Sequence, residues 1–469
     1  WLLMGIIGTA VGVLGFLIHQ IIDSLIKLKW DLVGNYLQVS KRNIWSMGVA
    51  VVISLSTGQD GNIHMTWLCM LGSGLAMVVL SSGSVLFLCP AGSPSALPEI
   101  FRYLNSSSIH HLFNIKTFLG TFVSCVLSVA SGLFCGPEGP MIHLGALLGC
   151  GLSQLQSDPL GIHLPIFTRL RNSADKRSFI TAGVASAFRA PIGGLLLLML
   201  EVSSFWDNRL AWQTFCCCLM ATFTTDLQSS SLHGFVYRGH FGFFEAEKRI
   251  LFWVKNLLDM NVLAFVPTIL LGMLGGLLGA LFVSLNIKIN KLCMKFFNSI
   301  PKLSLRKTSK LLETVLILVS KSNGSLFISY LKWQMRADVG CMLSFPCSSG
   351  QGSAAALLVE NGKEGITYLF KRGTHEEFGY TSLCAALAFY FLLSCWTAGS
   401  AVASGLVIPM LYTGALYGRI TGLLLVSVFG VQTNAYGAWI DPGLFAANGA
   451  ASFFSGVSSL TISLTVLMV

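Results

Sequence analysis

Gly136-Pro137-Glu138-Gly139-Pro140 sets one carboxylate into a stretch that otherwise reads as membrane. The approach, Thr121 to Phe134, is apolar and small, and the exit runs Met141-Ile142-His143-Leu144-Gly145-Ala146-Leu147-Leu148. An ionised carboxylate at bilayer depth costs several kcal/mol and is tolerated mainly where it faces a pathway or a partner. The flanking glycines and prolines break the helix beside it and leave backbone N–H groups free, as transporters do to hold an anion, with the helix dipole adding to the attraction. A carboxylate there is a tethered anion that competes with a free one for the same donors. A small monovalent anion gated by an acidic side chain is the first reading.

Composition agrees. Apolar residues are 54% of the 469 and charged ones 11%, far below the charged share of a soluble domain. Apolar stretches fall at Trp1–Leu28, Trp67–Leu88, Lys116–Phe134, Phe179–Leu200, Val262–Val283, Ser382–Trp396, Ile420–Val431 and from Leu444 onward. Some approach the ~20 residues of a full span and others are short. Short segments interrupted by Gly and Pro in both halves predict broken helices around a midplane site, and the 48 glycines suit close helix packing. The expected fold is all-α and polytopic. Net charge is +10, but the basic residues sit in short connectors such as Lys27–Lys29, Lys41-Arg42 and Lys176-Arg177. That pattern suits loops flanking a membrane and offers no nucleic-acid patch.

The interruptions divide the chain into residues 1–245 and 246–469, the second holding a long polar stretch at about 320–379. Within it, Asn323-Gly324-Ser325 is a glycosylation acceptor and Cys341 with Cys347 a potential disulfide, both on condition that the segment faces a lumen or the outside. The chain starts at Trp1 and stops inside an apolar run, which suggests a partial chain. The other cysteines, Cys216-Cys217-Cys218 among them, fit small packing side chains. No spacing suggests a metal site or a cofactor, and neither His110-His111 nor the cysteine run has the oriented third group an enzyme would need. A second pentad, Gly405-Leu406-Val407-Ile408-Pro409, repeats the glycine-to-proline break, and matched breaks in two halves mark an internal repeat with its site at the centre.

Gly136–Pro140 with the Met-Ile-His-Leu-Gly-Ala that follows resembles the central motif of the CLC chloride channels and chloride/proton exchangers. Three further stretches agree in order: Gly92-Ser93-Pro94-Ser95-Ala96-Leu97-Pro98-Glu99-Ile100; Ala190-Pro191-Ile192-Gly193-Gly194 through Glu201 to Ser204-Phe205-Trp206; and Gly405–Pro409 followed by Gly414-Ala415-Leu416-Tyr417-Gly418-Arg419. The likeness is nearest to the lysosomal and late-endosomal exchanger branch, through Glu138–His143, Ser204–Trp206, Ser394-Cys395-Trp396-Thr397 and the polar insert.

The resemblance implies an inverted-repeat membrane domain, a homodimer with one pore in each subunit, and a final helix and C-terminal CBS-type regulatory domains that do not occur in these residues. It implies chloride and protons as substrates, with Glu138 the gating glutamate and Glu201 the internal proton glutamate. Ser95 supplies a hydroxyl, and Gly139, Val407 and Ile408 backbone N–H groups, to the anion. One branch member works in an obligate two-protein complex, which admits a small glycosylated membrane subunit as partner. Pro94, Ala96, Pro137, Arg189 and Ser459 depart from the family pattern; Pro137 stands where a lysine is usual beside the gate. Proton-coupled chloride exchange is therefore the leading expectation. A passive voltage-gated chloride channel and a non-transporting dimer partner or scaffold are the alternatives.

Overall fold

The computed structural model describes residues 1–37, 63–92, 97–105, 114–154, 156–157, 162–163, 173–187, 190–197, 199, 207–233, 264–338, 362–371, 379–429, 433–434, 437–438 and 441–459. Among them the regular structure is helical apart from two short hairpins and one isolated bridge. The first half runs α1 (Leu2–Leu37), α2 (Ile63–Gly83, continued by a π turn at Ser84–Leu88), α3 (Leu97–Leu104), α4 (Ile115–Ser131), α5 (Glu138–Gln154), α6 (Ser173–Ala187), α7 (Pro191–Leu197) and α8 (Asn208–His233). The second runs α9 (Phe265–Asn298), α10 (Leu303–Asp338), α11 (Gly362–Phe370), α12 (Tyr380–Thr397), α13 (Val407–Phe429) and α14 (Pro442–Ser458). Five described helices are long and apolar enough to cross a membrane, within α1, α2, α9, α12 and α13. The protein is an all-α polytopic membrane protein.

The two halves repeat one plan. In the first, α5 leads through the hairpin Gln156–Ser157/Ile162–His163 into α6; in the second, α13 leads through Thr433–Asn434/Gly437–Ala438 into α14. Each pair of helices packs through glycine. A Cβ on Gly149 of α5 would land on the backbone of Phe179, and Gly145 and Gly183 face each other so closely that neither admits one. In the second half Gly418 meets Phe445 and Gly414 meets Gly449 and Ala450 in the same way. Small residues let membrane helices approach to backbone contact, where dispersion and interhelical bonds replace the hydrophobic drive that lipid cannot supply.

α13 lies at the centre, with 61% of its apolar window buried, whereas α9 is peripheral at 22%. The outer face of α9 shows Phe265, Ile269, Met273 and Leu277, an apolar surface suited to lipid. The stretch Phe179–Leu200, read from the sequence as one span, is two helices, α6 ending at Ala187 and α7 starting at Pro191, since proline cannot continue the ladder but suits a first turn. Part of the polar stretch 320–379 is also helical: α10 carries Asn323 inside it and continues to Asp338, and α11 occupies Gly362–Phe370. Its charged residues disguised α10, and two of them, Glu313 and Lys321, are buried. Cys341 and Cys347 lie outside the described residues.

Candidate functional site

α5 begins at Glu138 and α13 at Val407, each two residues after a buried glycine. Those glycines are paired. Gly136 N–H donates to Gly405 O at 2.9 Å and Gly405 N–H donates back to Gly136 O at 2.9 Å, an antiparallel bridge between the halves. A residue pair that exchanges both bonds is itself two-fold symmetric, so the bridge marks a local two-fold between the repeats. The first helical bonds match as well, Met141 N–H to Pro137 O at 2.9 Å and Met410 N–H to Leu406 O at 3.0 Å. Pro140 and Pro409 hold the third position of each helix, where the missing N–H costs no helical bond. The first-turn N–H groups of Gly139, Val407 and Ile408 therefore have no acceptor within their own helices.

Side chains close around this junction. Glu138 is half-buried, and its Oε2 occupies the space into which a Cβ on Gly136 would project. Ile408 Cγ1 and Cβ lie 3.0 and 3.1 Å from that same point, so the carboxylate of one repeat and an aliphatic side chain of the other flank one glycine. On Gly405 a Cβ would come within 2.7 Å of both Gly136 O and Gly139 N. Backbone crowds Gly405, so only glycine fits there, whereas a Cβ on Gly136 would have to displace the Glu138 carboxylate.

Behind Ile408 stands an aromatic wall. Tyr390 and Tyr412 stack at 4.2 Å between ring centroids, Phe134 meets Tyr390 edge-on at 4.6 Å, and Gly362, the first residue of α11, packs on Ile408. The loop before α13 is stitched to α4: Ser128 Oγ donates to Ala403 O at 3.2 Å and Ala403 N–H donates to Ser124 Oγ at 3.0 Å. These bonds fix the glycine pair from a third element. The hydroxyl of Ser404, next to Gly405, is buried and has no hydrogen-bond partner among the described residues.

Two helix starts thus share one point, each with a positive dipole end worth about half a unit charge. Such a point favours negative charge, and the Glu138 carboxyl group stands beside it. Of the residues singled out from the sequence, Glu138, Gly139, Val407 and Ile408 are brought together around the bridge. Ser95 and Glu201 lie outside the described residues, as do Pro94, Ala96 and Arg189. Ser459 caps the end of α14 in the left-handed region, φ 58°. Tyr390, Tyr412 and Gly362 were not legible as site residues, because no local spacing brings them to Ile408. The repetition of Gly145-Ala146-Leu147-Leu148-Gly149 in Gly414-Ala415-Leu416-Tyr417-Gly418 was a usable signal for the repeat.

The family model described as voltage gated chloride channel matches residues 74–469. Chloride channel protein D of Dictyostelium discoideum is 31% identical across 100% of this chain and 51% of its own length. The H(+)/Cl(-) exchange transporter 7 of Homo sapiens is 30% identical across 100% of this chain and 55% of its own. The chain thus spans about half the length of these curated relatives. Among solved structures, a eukaryotic CLC transporter superposes with a TM-score of 0.65 at 20% identity, covering 100% of this chain and 67% of the other. A slow cyanobacterial Cl-/H+ antiporter gives 0.62 at 18% identity, covering 100% and 88%. At those identities the structures speak to the fold alone.

Proposed function

Because the chain belongs to the voltage gated chloride channel family, we propose that its protein carries chloride across a membrane in exchange for protons. The observation that carries this reading is the Gly136–Gly405 bridge, which joins two helix starts beneath the Glu138 carboxylate. Ionised, Glu138 takes the place of an anion near the N–H groups of Gly139, Val407 and Ile408. Protonated, it loses its charge and leaves. One side chain so ties anion entry to a proton. Glu201 serves as the internal proton glutamate, off the anion path, and Ser95 gives a hydroxyl to the inner anion position.

Exchange is tested by imposing a proton gradient on the reconstituted full-length protein and following chloride. A reversal potential that moves with pH is expected; one that ignores pH at fixed chloride rejects exchange. The passive channel is the second reading, favoured by relatives named as chloride channel proteins. It keeps Glu138 as a gate and makes Glu201 dispensable. Absence of any flux points instead to a non-transporting partner. On the branch resemblance we assign the protein to lysosomal or late-endosomal membranes as a homodimer, with a small glycosylated subunit as a candidate partner. Blue-native electrophoresis and organelle fractionation test those assignments.

A further inference from the structure

α4 ends at Ser131, and Gly132, at φ 86°, turns the chain into the loop that leads to Glu138. Two lysines from distant parts of the sequence reach this helix end. Lys29 of α1 donates from Nζ to Ser131 O at 3.2 Å, and Lys321 of α10 donates from Nζ to Gly132 O. Both are buried, at 6% and 8% exposure. A Cβ on Gly132 would lie 3.1 Å from Lys321 Nζ and 3.5 Å from Lys29 Nζ, so the two amines converge on one α-carbon. Lys321 Nζ also sits 5.3 Å from the ring centroid of Phe134, the residue that abuts Tyr390 in the aromatic wall. Both amines donate to carbonyl oxygens, and Lys321 also faces an aromatic ring and lies within electrostatic reach of the Cys135 thiol.

Carbonyls at a helix C-terminus, and for Lys321 a ring face, favour the charged form of lysine, while burial and the neighbouring Lys29 amine pull the pKa of the Lys321 ammonium down to about 7. The helix end carries only about half a negative unit, so even one ammonium shared between the two lysines leaves an excess of positive charge. The loop they abut, from Gly132 to Gly139, contains no basic residue; Pro137 occupies the place beside Glu138. Positive potential at the anion site beyond the two helix starts must come from outside the loop. In a low-dielectric interior such charges act over longer range than they do in water.

We propose that Lys29 and Lys321 are positioning residues for the transported anion: a buried cationic pair behind the loop that raises anion affinity at the Gly136–Gly405 junction. This rests on the anion-transport reading above. It makes the α10 lysine, far from Glu138 in sequence, a determinant of anion affinity.

The test is chloride flux through full-length protein in liposomes against chloride concentration, for wild type, Lys321→Met, Lys321→Arg and Lys29→Met. Methionine keeps length and removes charge. The half-saturating chloride concentration should rise about tenfold in either methionine variant, since each removes a buried charge acting through a low-dielectric interior. Maximal flux should stay within about twofold, and Lys321→Arg should restore the wild-type value. Unchanged half-saturation in the methionine variants overturns the proposal while leaving chloride transport intact. An arginine variant no better than methionine also overturns it and assigns the lysine to packing. A wild-type protein with no saturable chloride flux overturns both the proposal and the reading beneath it. Should Lys321→Met fail to fold, Lys29→Met, which removes the charge from the other helix, decides in the same assay.

Discussion

Gly136 and Gly405 are the same residue of two repeats, and each gives its backbone N–H to the other's carbonyl at 2.9 Å. The contact leaves no room for a side chain, since a Cβ on Gly405 would sit 2.7 Å from Gly136 O and from Gly139 N. Backbone cannot yield as a flexible side chain can. Gly405→Ala should therefore destabilise by about 1–3 kcal/mol, the usual range for overpacking, and impair flux with it. Gly72→Ala, at a site open to added volume, should do neither. Thermal unfolding of the purified protein in detergent, read for both variants, decides.

Glu138→Ala should remove the tethered anion and the titrating group together. Anion flux is expected to persist or rise, to become nearly insensitive to pH and to stop driving protons. Glu201→Ala should suppress proton movement more than chloride movement. Paired pH and chloride electrodes on one vesicle preparation read both. Proton coupling that survives in Glu138→Ala would defeat the gate mechanism.

The glycine seams of the two repeats should fail alike. Gly183→Leu drives a side chain into the backbone of Gly145, and Gly449→Leu does the same to α13 at Gly414 and Gly418. Each should lower the yield of folded protein sharply, and size-exclusion profiles would report it. A normal profile for either variant would mean that these helices pack less closely than described.

Arg419 is fully buried, and Nη1 donates to Leu369 O at 2.6 Å and Lys371 O at 3.0 Å, at the C-terminal end of α11. Hydrogen bonds from a charged donor contribute about 1.5–3 kcal/mol each. Arg419→Met should cost about that much or more, and Arg419→Lys should recover only part, because an ammonium lacks the planar fork. The other end of α11 packs Gly362 against Ile408. A loosened α11 should therefore weaken chloride binding as well as lower the melting temperature.

Glu138 and both broken pentads could be read directly, because a carboxylate, glycines and prolines in an apolar run announce themselves against the cost of burying charge and of breaking helices. The repeat could be read from the same pentads. α8 and α10 escaped, since their apolar residues are interleaved with polar ones that find partners only after folding. Trp396 Nε1–H donating to Glu313 Oε1 at 2.9 Å is such a pairing. The lysine pair escaped for the same reason: Lys29 reads as a connector residue until α4 is placed beside it. Hydropathy measures what a side chain prefers in isolation, not whom it meets.

The glycine bridge also has a consequence for biosynthesis. Gly136 emerges from the ribosome long before Gly405, so its N–H and C=O wait inside an apolar stretch for partners that do not yet exist. Unsatisfied backbone groups cost several kcal/mol in hydrocarbon. The nascent first half must keep those groups wet, or shielded by other factors, until the second half inserts. Substitutions that slow insertion of α9 to α13 should accordingly extend association with membrane chaperones even when the finished fold is unharmed.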